Sequence, residues 1–135
     1  MNFEGVFFHP LMVHFPIALC FFEFFLLALA AFKKDIAYLQ FARLTFYVLT
    51  AGLAAALISG YHDAGGHIAD LFAGGVKPHF FAACSLTALT AVRFVLWRQF
   101  SPSHPRCVVV HLCGSVLMMA AVSITAYFGG ELVYS

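Results

Sequence analysis

Polar residues along this chain gather in short clusters, and between them lie four unbroken apolar stretches, roughly 10–32, 41–62, 78–98 and 106–128, each near the about 20 residues that carry an α-helix across a bilayer. Runs so uniformly apolar lack the in-out alternation of a barrel strand, and they are too long for buried strands. The segments between them are "KKDIAYLQ", "DAGGHIADLFAGGVK" and "RQFSPSHPR". The pattern predicts an all-α fold. It is a single domain spanning residues 1–135, an integral membrane antiparallel four-helix bundle.

Composition strengthens this reading. The chain is 63% hydrophobic and only 10% charged, with 17 phenylalanines among its 135 residues. So small a domain has no interior large enough to hide that much apolar surface from water. A formal net charge of +1 offers no basic face for nucleic acid. Lys33, Lys34, Arg43, Arg93, Arg98 and Arg106 are assigned to one end of the bundle and Lys77 to the other. The crowded end is expected to face the cytoplasm, with both termini outward. No basic n-region or small-residue cleavage site precedes the first run, so that run is expected to stay as a span. Cys20, Cys84, Cys107 and Cys113 form neither a CxxC pair nor a CxxCH haem-attachment motif, and read as small hydrophobes.

Histidine is the anomaly. An up-down-up-down order brings five of the seven histidines, His9, His14, His62, His67 and His79, together with Asp63, to the outer face. His111 enters from the opposite side and His104 falls in the cytoplasmic loop. In "HPLMVHFPIAL", Pro10 suits the first helical position, which makes His9 a cap-like residue outside the helix. Pro16 is expected to loosen or kink the helix near the carbonyl of Met12. His9 and His14 lie about 140° apart around a regular helix, so that distortion would be needed to aim both at one point. "KPHF" repeats the device with Pro78 and His79, and Ser59 and Gly60 in "SGYHDAGGH" permit close helix approach. The stretch "HIADLF" is expected to form an amphipathic turn on the membrane or a loop.

The motifs "HPLMVHFPIAL", "AALISGYHD", "HFFAA" and "FGGELVY", in this order over nearly the whole chain, resemble the small four-helix bacterial membrane proteins classed as domain-of-unknown-function 2231. The resemblance implies four spans in a bacterial inner membrane. It also implies a periplasmic cluster of His9, His14, Asp63 and His79, with Gly129 and Gly130 packing nearby. His62 and His67 are additions to that pattern. The chain stops just after "GGELVY", from which no further outer domain is expected.

Imidazoles opposed across an apolar, aromatic-rich bundle suit a b-type haem. The expected axial ligands are His14 and His79, with His9 and Asp63 as supporting partners and Lys77 at the propionates. Phe7, Phe8, Phe15, Phe80 and Phe81 are candidates to shield the macrocycle. One haem is expected, because His111 faces no second histidine. A two-histidine haem has no open position for substrate, so its task is electron transfer between a quinone or cytochrome partner and an outer acceptor. That describes a redox subunit more than a stand-alone enzyme. One alternative is a copper, zinc or iron ion held by His9, His14, His79 and Asp63. Another is a cofactor-free accessory subunit of a larger membrane complex, packed through "AGLAAALISG" and "GSVLMMAAVS". Glu23, near mid-membrane, requires a partner or a role in proton movement. His111 is the expected partner, with Arg43 and Arg93 also within reach. No phosphate loop or nucleophile elbow is present.

Overall fold

The computed structural model describes residues 8–72, 74–100 and 106–134. Four α-helices occupy nearly all of them: α1 (Phe8–Lys33), α2 (Ile36–Asp63), α3 (Val76–Gln99) and α4 (Cys107–Tyr134). Each is long and apolar enough to cross a membrane. His104 and Phe7 lie outside the described residues, as does the side chain of Phe8.

The helices are longer than the apolar runs suggest, because capping chemistry and not hydropathy decides where they end. Lys34 adopts φ 55° and returns its N–H to the Ala30 carbonyl at 3.0 Å, closing α1. Asp35 is extended, and its carboxylate accepts from the Ala37 N–H at 2.9 Å, opening α2. Two residues therefore reverse the chain where eight polar-looking ones were expected to loop. At the other face α2 ends in Gly65 and Gly66, both at positive φ, a backbone that glycine adopts without strain. The "HIADLF" stretch forms a short 3-10 turn, Ile68–Phe72, whose Phe72 packs edge-on against Phe80 of α3 at 5.2 Å.

One expectation about α1 needs correction. His9 is not a cap outside the helix, since α1 begins at Phe8 and Pro10 sits within its first turn. Proline is tolerated there because first-turn N–H groups have no partner within the helix. The helix continues through Pro16. Pro16 is buried against Gly52 of α2, where an added Cβ would lie 3.4 Å from the proline ring.

The helices form a ring in chain order. α1 packs chiefly on α2, α3 on α4, and α4 closes onto α1, while α2 and α3 meet along the slightest seam. α1 thus stands diagonally across from α3. Leu27, Leu39, Phe46, Leu49, Trp97 and Met118 fill the centre, while Leu11, Phe15, Phe25, Phe41, Val109 and Leu117 are exposed on the outside. Apolar residues on both surfaces are what a lipid-facing bundle requires.

The two hairpins repeat one another. Buried Pro16, Cys20, Glu23 and Leu27 of α1 correspond to buried Leu86, Thr90, Arg93 and Trp97 of α3, each 70 residues on. With a spacing one residue shorter, Ala42, Phe46 and Leu49 of α2 match His111, Ser115 and Met118 of α4. Residues at matching places on α1 and α3 meet across the centre, and two such meetings are polar.

Candidate functional site

The first meeting is at the outer end. His9 of α1 and His79 of α3 occupy matching places, and their rings face each other with centroids 5.7 Å apart and planes at 76°. Each ring is seated on a glycine of the following helix. A Cβ on Gly60 would come within 3.0 Å of the His9 ring, and one on Gly129 within 3.1 Å of the His79 ring. Each ring is also oriented through Nδ1. His79 Nδ1 lies 3.0 Å from the Thr125 carbonyl oxygen, which can only accept, so the proton is on Nδ1. His9 Nδ1 lies 3.1 Å from Ser59 Oγ, whose own proton is donated to the Ala56 carbonyl at 2.9 Å. The hydroxyl therefore accepts from His9. In both neutral rings the lone pair is left at Nε2.

Asp63 serves the same corner differently. Its Oδ2 accepts from the backbone N–H of His9 at 2.9 Å, so the end of α2 caps the start of α1. His62, exposed, has its Nδ1 3.6 Å from the other oxygen.

The remaining residues singled out from sequence lie apart from the ring pair. His14 is exposed on the outside of α1 with Nδ1 against the Pro10 carbonyl. The regular helix keeps it turned away from His9, as 3.6 residues per turn dictates. His67 and Lys77 are exposed, and Gly130 would accept a Cβ with nothing within 4 Å. The set of three histidines plus a carboxylate is not assembled. Among the described residues no group of three or more His, Cys, Asp or Glu side chains is placed to hold a metal ion.

The second meeting is deeper. Glu23 of α1 and Arg93 of α3, again at matching places, form a two-pronged ion pair with N–O distances of 2.8 and 2.6 Å. Both are buried, at 0% and 1% exposure. Arg93 also donates to Met118 Sδ at 3.0 Å and to the His111 carbonyl at 3.3 Å, and its guanidinium carbon lies 4.7 Å from the Phe46 ring centroid. This corrects the expected pairing of Glu23 with the His111 ring, which instead stacks on Trp97 at 3.5 Å with planes 7° apart. It also removes Arg93 from the cations gathered at the crowded end of the bundle. That leaves Lys33, Lys34, Arg43, Arg98 and Arg106 against Lys77, the same bias.

Sequence reasoning missed the partnership of His9 with His79 and the Trp97–His111 stack. The signal for the first was present: Glu23 follows His9 at the same interval at which Arg93 follows His79.

A family model described as "Predicted membrane protein (DUF2231)" matches residues 5–135. No curated protein and no solved structure matches the chain.

Proposed function

Starting from the chain's membership of the DUF2231 membrane-protein family, we propose that it is a membrane electron carrier binding one b-type haem between His9 and His79. The observation that carries this reading is the pair of imidazoles whose Nδ1 protons are committed to protein oxygens, leaving two Nε2 lone pairs in one layer. A metal-ligating histidine commonly donates its other ring N–H to a carbonyl or similar acceptor, which fixes the tautomer and raises basicity. Two imidazoles bound to one metal at about 2.0–2.1 Å hold their centroids at most about 6 Å apart, and these lie at 5.7 Å.

Haem is favoured over a bare ion by the donor count. Protein ion sites usually draw on three or four side chains, whereas the macrocycle brings four nitrogens and asks the protein for two. The α2–α3 seam, the slightest of the four, is the natural side for a planar group to enter. Lys77, exposed on the first turn of α3, is suited to a propionate. The site faces the periplasm of a bacterial inner membrane in this reading. Held between His9 and His79, such a haem would supply one-electron transfer, with a quinone or an outer cytochrome-like protein as the class of redox partner.

The test is an absorption spectrum, as isolated and after dithionite, of protein purified from haem-replete cells. A Soret band with sharp reduced α and β bands, lost in His9→Ala and His79→Ala, is expected. Colourless protein, or an unchanged spectrum in both variants, would overturn the reading. Copper, zinc or iron in a colourless sample would replace it with an ion site.

A further inference from the structure

Below the ion pair, buried polar groups collect without partners. Arg93 Nε, Trp97 Nε1 and both ring nitrogens of His111 are sealed from the surface and have no hydrogen-bond partner among the described residues. Their residues are at most 1% exposed. A neutral imidazole always carries one N–H and one lone pair, so His111 alone leaves a donor and an acceptor unmet. Leaving such groups dry costs their full desolvation, and native proteins rarely tolerate one, still less four in one place. These groups adjoin the ion pair: Trp97 and His111 are stacked at 3.5 Å, and Arg93, which holds Glu23, donates to the His111 carbonyl at 3.3 Å. Unmet donors and an unmet acceptor gathered beside an ion pair are where a bridging water belongs.

We propose that the space bounded by Glu23, Arg93, Trp97 and His111 is a buried solvent site whose ligand is water, linking the indole N–H, the imidazole and the Glu23 carboxylate. The groups supply the two to four hydrogen-bond partners that an internal water needs. The site also lies close to an aqueous phase. Trp97 is two residues from the end of α3 at Gln99, and His111 is four from the start of α4 at Cys107, so about one helical turn separates them from the inner face. The ion pair is thereby wired to that face: water at His111 can relay a proton toward the Glu23 carboxylate and back. The inference is independent of any haem at the opposite end.

Trp97 is the single tryptophan of the chain, which makes it a direct reporter. The experiment is nuclear magnetic resonance on ¹⁵N-labelled full-length protein in lipid nanodiscs. It follows exchange of the indole Nε1–H with D2O and its magnetisation transfer from water. A water cross-peak, and exchange at least about tenfold faster than the backbone N–H of Thr90 and Met118, are expected. An indole proton as protected as those amides, with no cross-peak, would overturn the proposal. His111→Phe keeps the stack and removes both nitrogens. With water bound, Tm falls, because Trp97 and Arg93 lose the solvent that His111 anchors. A Tm equal to or above that of the unmodified protein would mean that the nitrogens were dry, and the proposal fails. Should that variant not accumulate, the exchange measurement on the unmodified protein decides.

Discussion

The histidine pair and the ion pair use the same diagonal of the bundle, 14 residues apart on each helix by number, or about 21 Å along the axis, yet they are built to opposite ends. Glu23 and Arg93 satisfy one another: both carboxylate oxygens and both terminal guanidinium nitrogens are engaged across the diagonal. His9 and His79 do not. Each is held through Nδ1, which leaves its Nε2 without a committed partner among the described residues. One geometry closes with a charge pair and opens with two bases, so the position of a ligand site in such a bundle follows from whether the facing groups complete each other.

The sharpest way to break the comparison is to open the closed layer. Arg93→Leu leaves a buried carboxylate without its partner and is expected to cost about 3–5 kcal/mol. It should be read as loss of folded protein or a lowered detergent melting temperature. The double variant Glu23→Leu with Arg93→Leu should recover most of that, because an apolar pair needs no partner; a double variant as damaged as the single one would show that the ion pair has a further role. The outer layer should respond in binding more than in folding. His9→Ala and His79→Ala are each expected to weaken haem retention about 100-fold, at or beyond the upper end of the loss from removing an outer partner, by haem titration of apoprotein. His14→Ala, on the lipid side, should leave the spectrum unchanged.

Finer changes sharpen the contrast. Gly114→Ala would put a Cβ 2.7 Å from Arg93 Nε, which the two-pronged pair prevents from moving, and should cost about 1–3 kcal/mol in thermal unfolding. Gly129→Ala needs only a few tenths of an ångström from the His79 ring, so the melt should hardly move while haem affinity falls about tenfold. Asp63→Ala removes the cap on the first turn of α1 and should cost about 1 kcal/mol, measured as earlier exchange of the His9 backbone N–H.

How much of this was legible in the sequence depended on which kind of force set each feature. Four spans and the gathering of histidines at one end follow from hydropathy and chain order, which are properties of stretches. Which histidine faces inward is a property of helical phase, and in α1 apolar residues on every side erase the phase: Phe15 is exposed and Cys20 buried, with nothing in their chemistry to say so. His14 therefore seemed the natural ligand, being deeper in the span, when the helix turns it to the lipid. The Glu23 partner was misjudged for a related reason. Arginine near a span's end reads as an interfacial anchor, and only the repeat of buried places between α1 and α3 reveals that Arg93 points at the centre. The boundaries, set by single residues such as Asp35 and Gly65, were blurred by hydropathy windows that average over them.

The repeat carries a consequence for how the chain is made. Two first hairpins side by side would set Glu23 against Glu23, and two second hairpins would set Arg93 against Arg93, so each hairpin fits only its opposite. During synthesis Glu23 is made 70 residues ahead of its guanidinium partner, a delay of roughly 4–14 s at about 5–20 residues per second. Through that interval the nascent chain holds an unmatched carboxylate in lipid, and arrival of the third helix ends the wait. The pair therefore acts as a translational latch: the bundle shuts only once the ribosome has delivered its second half.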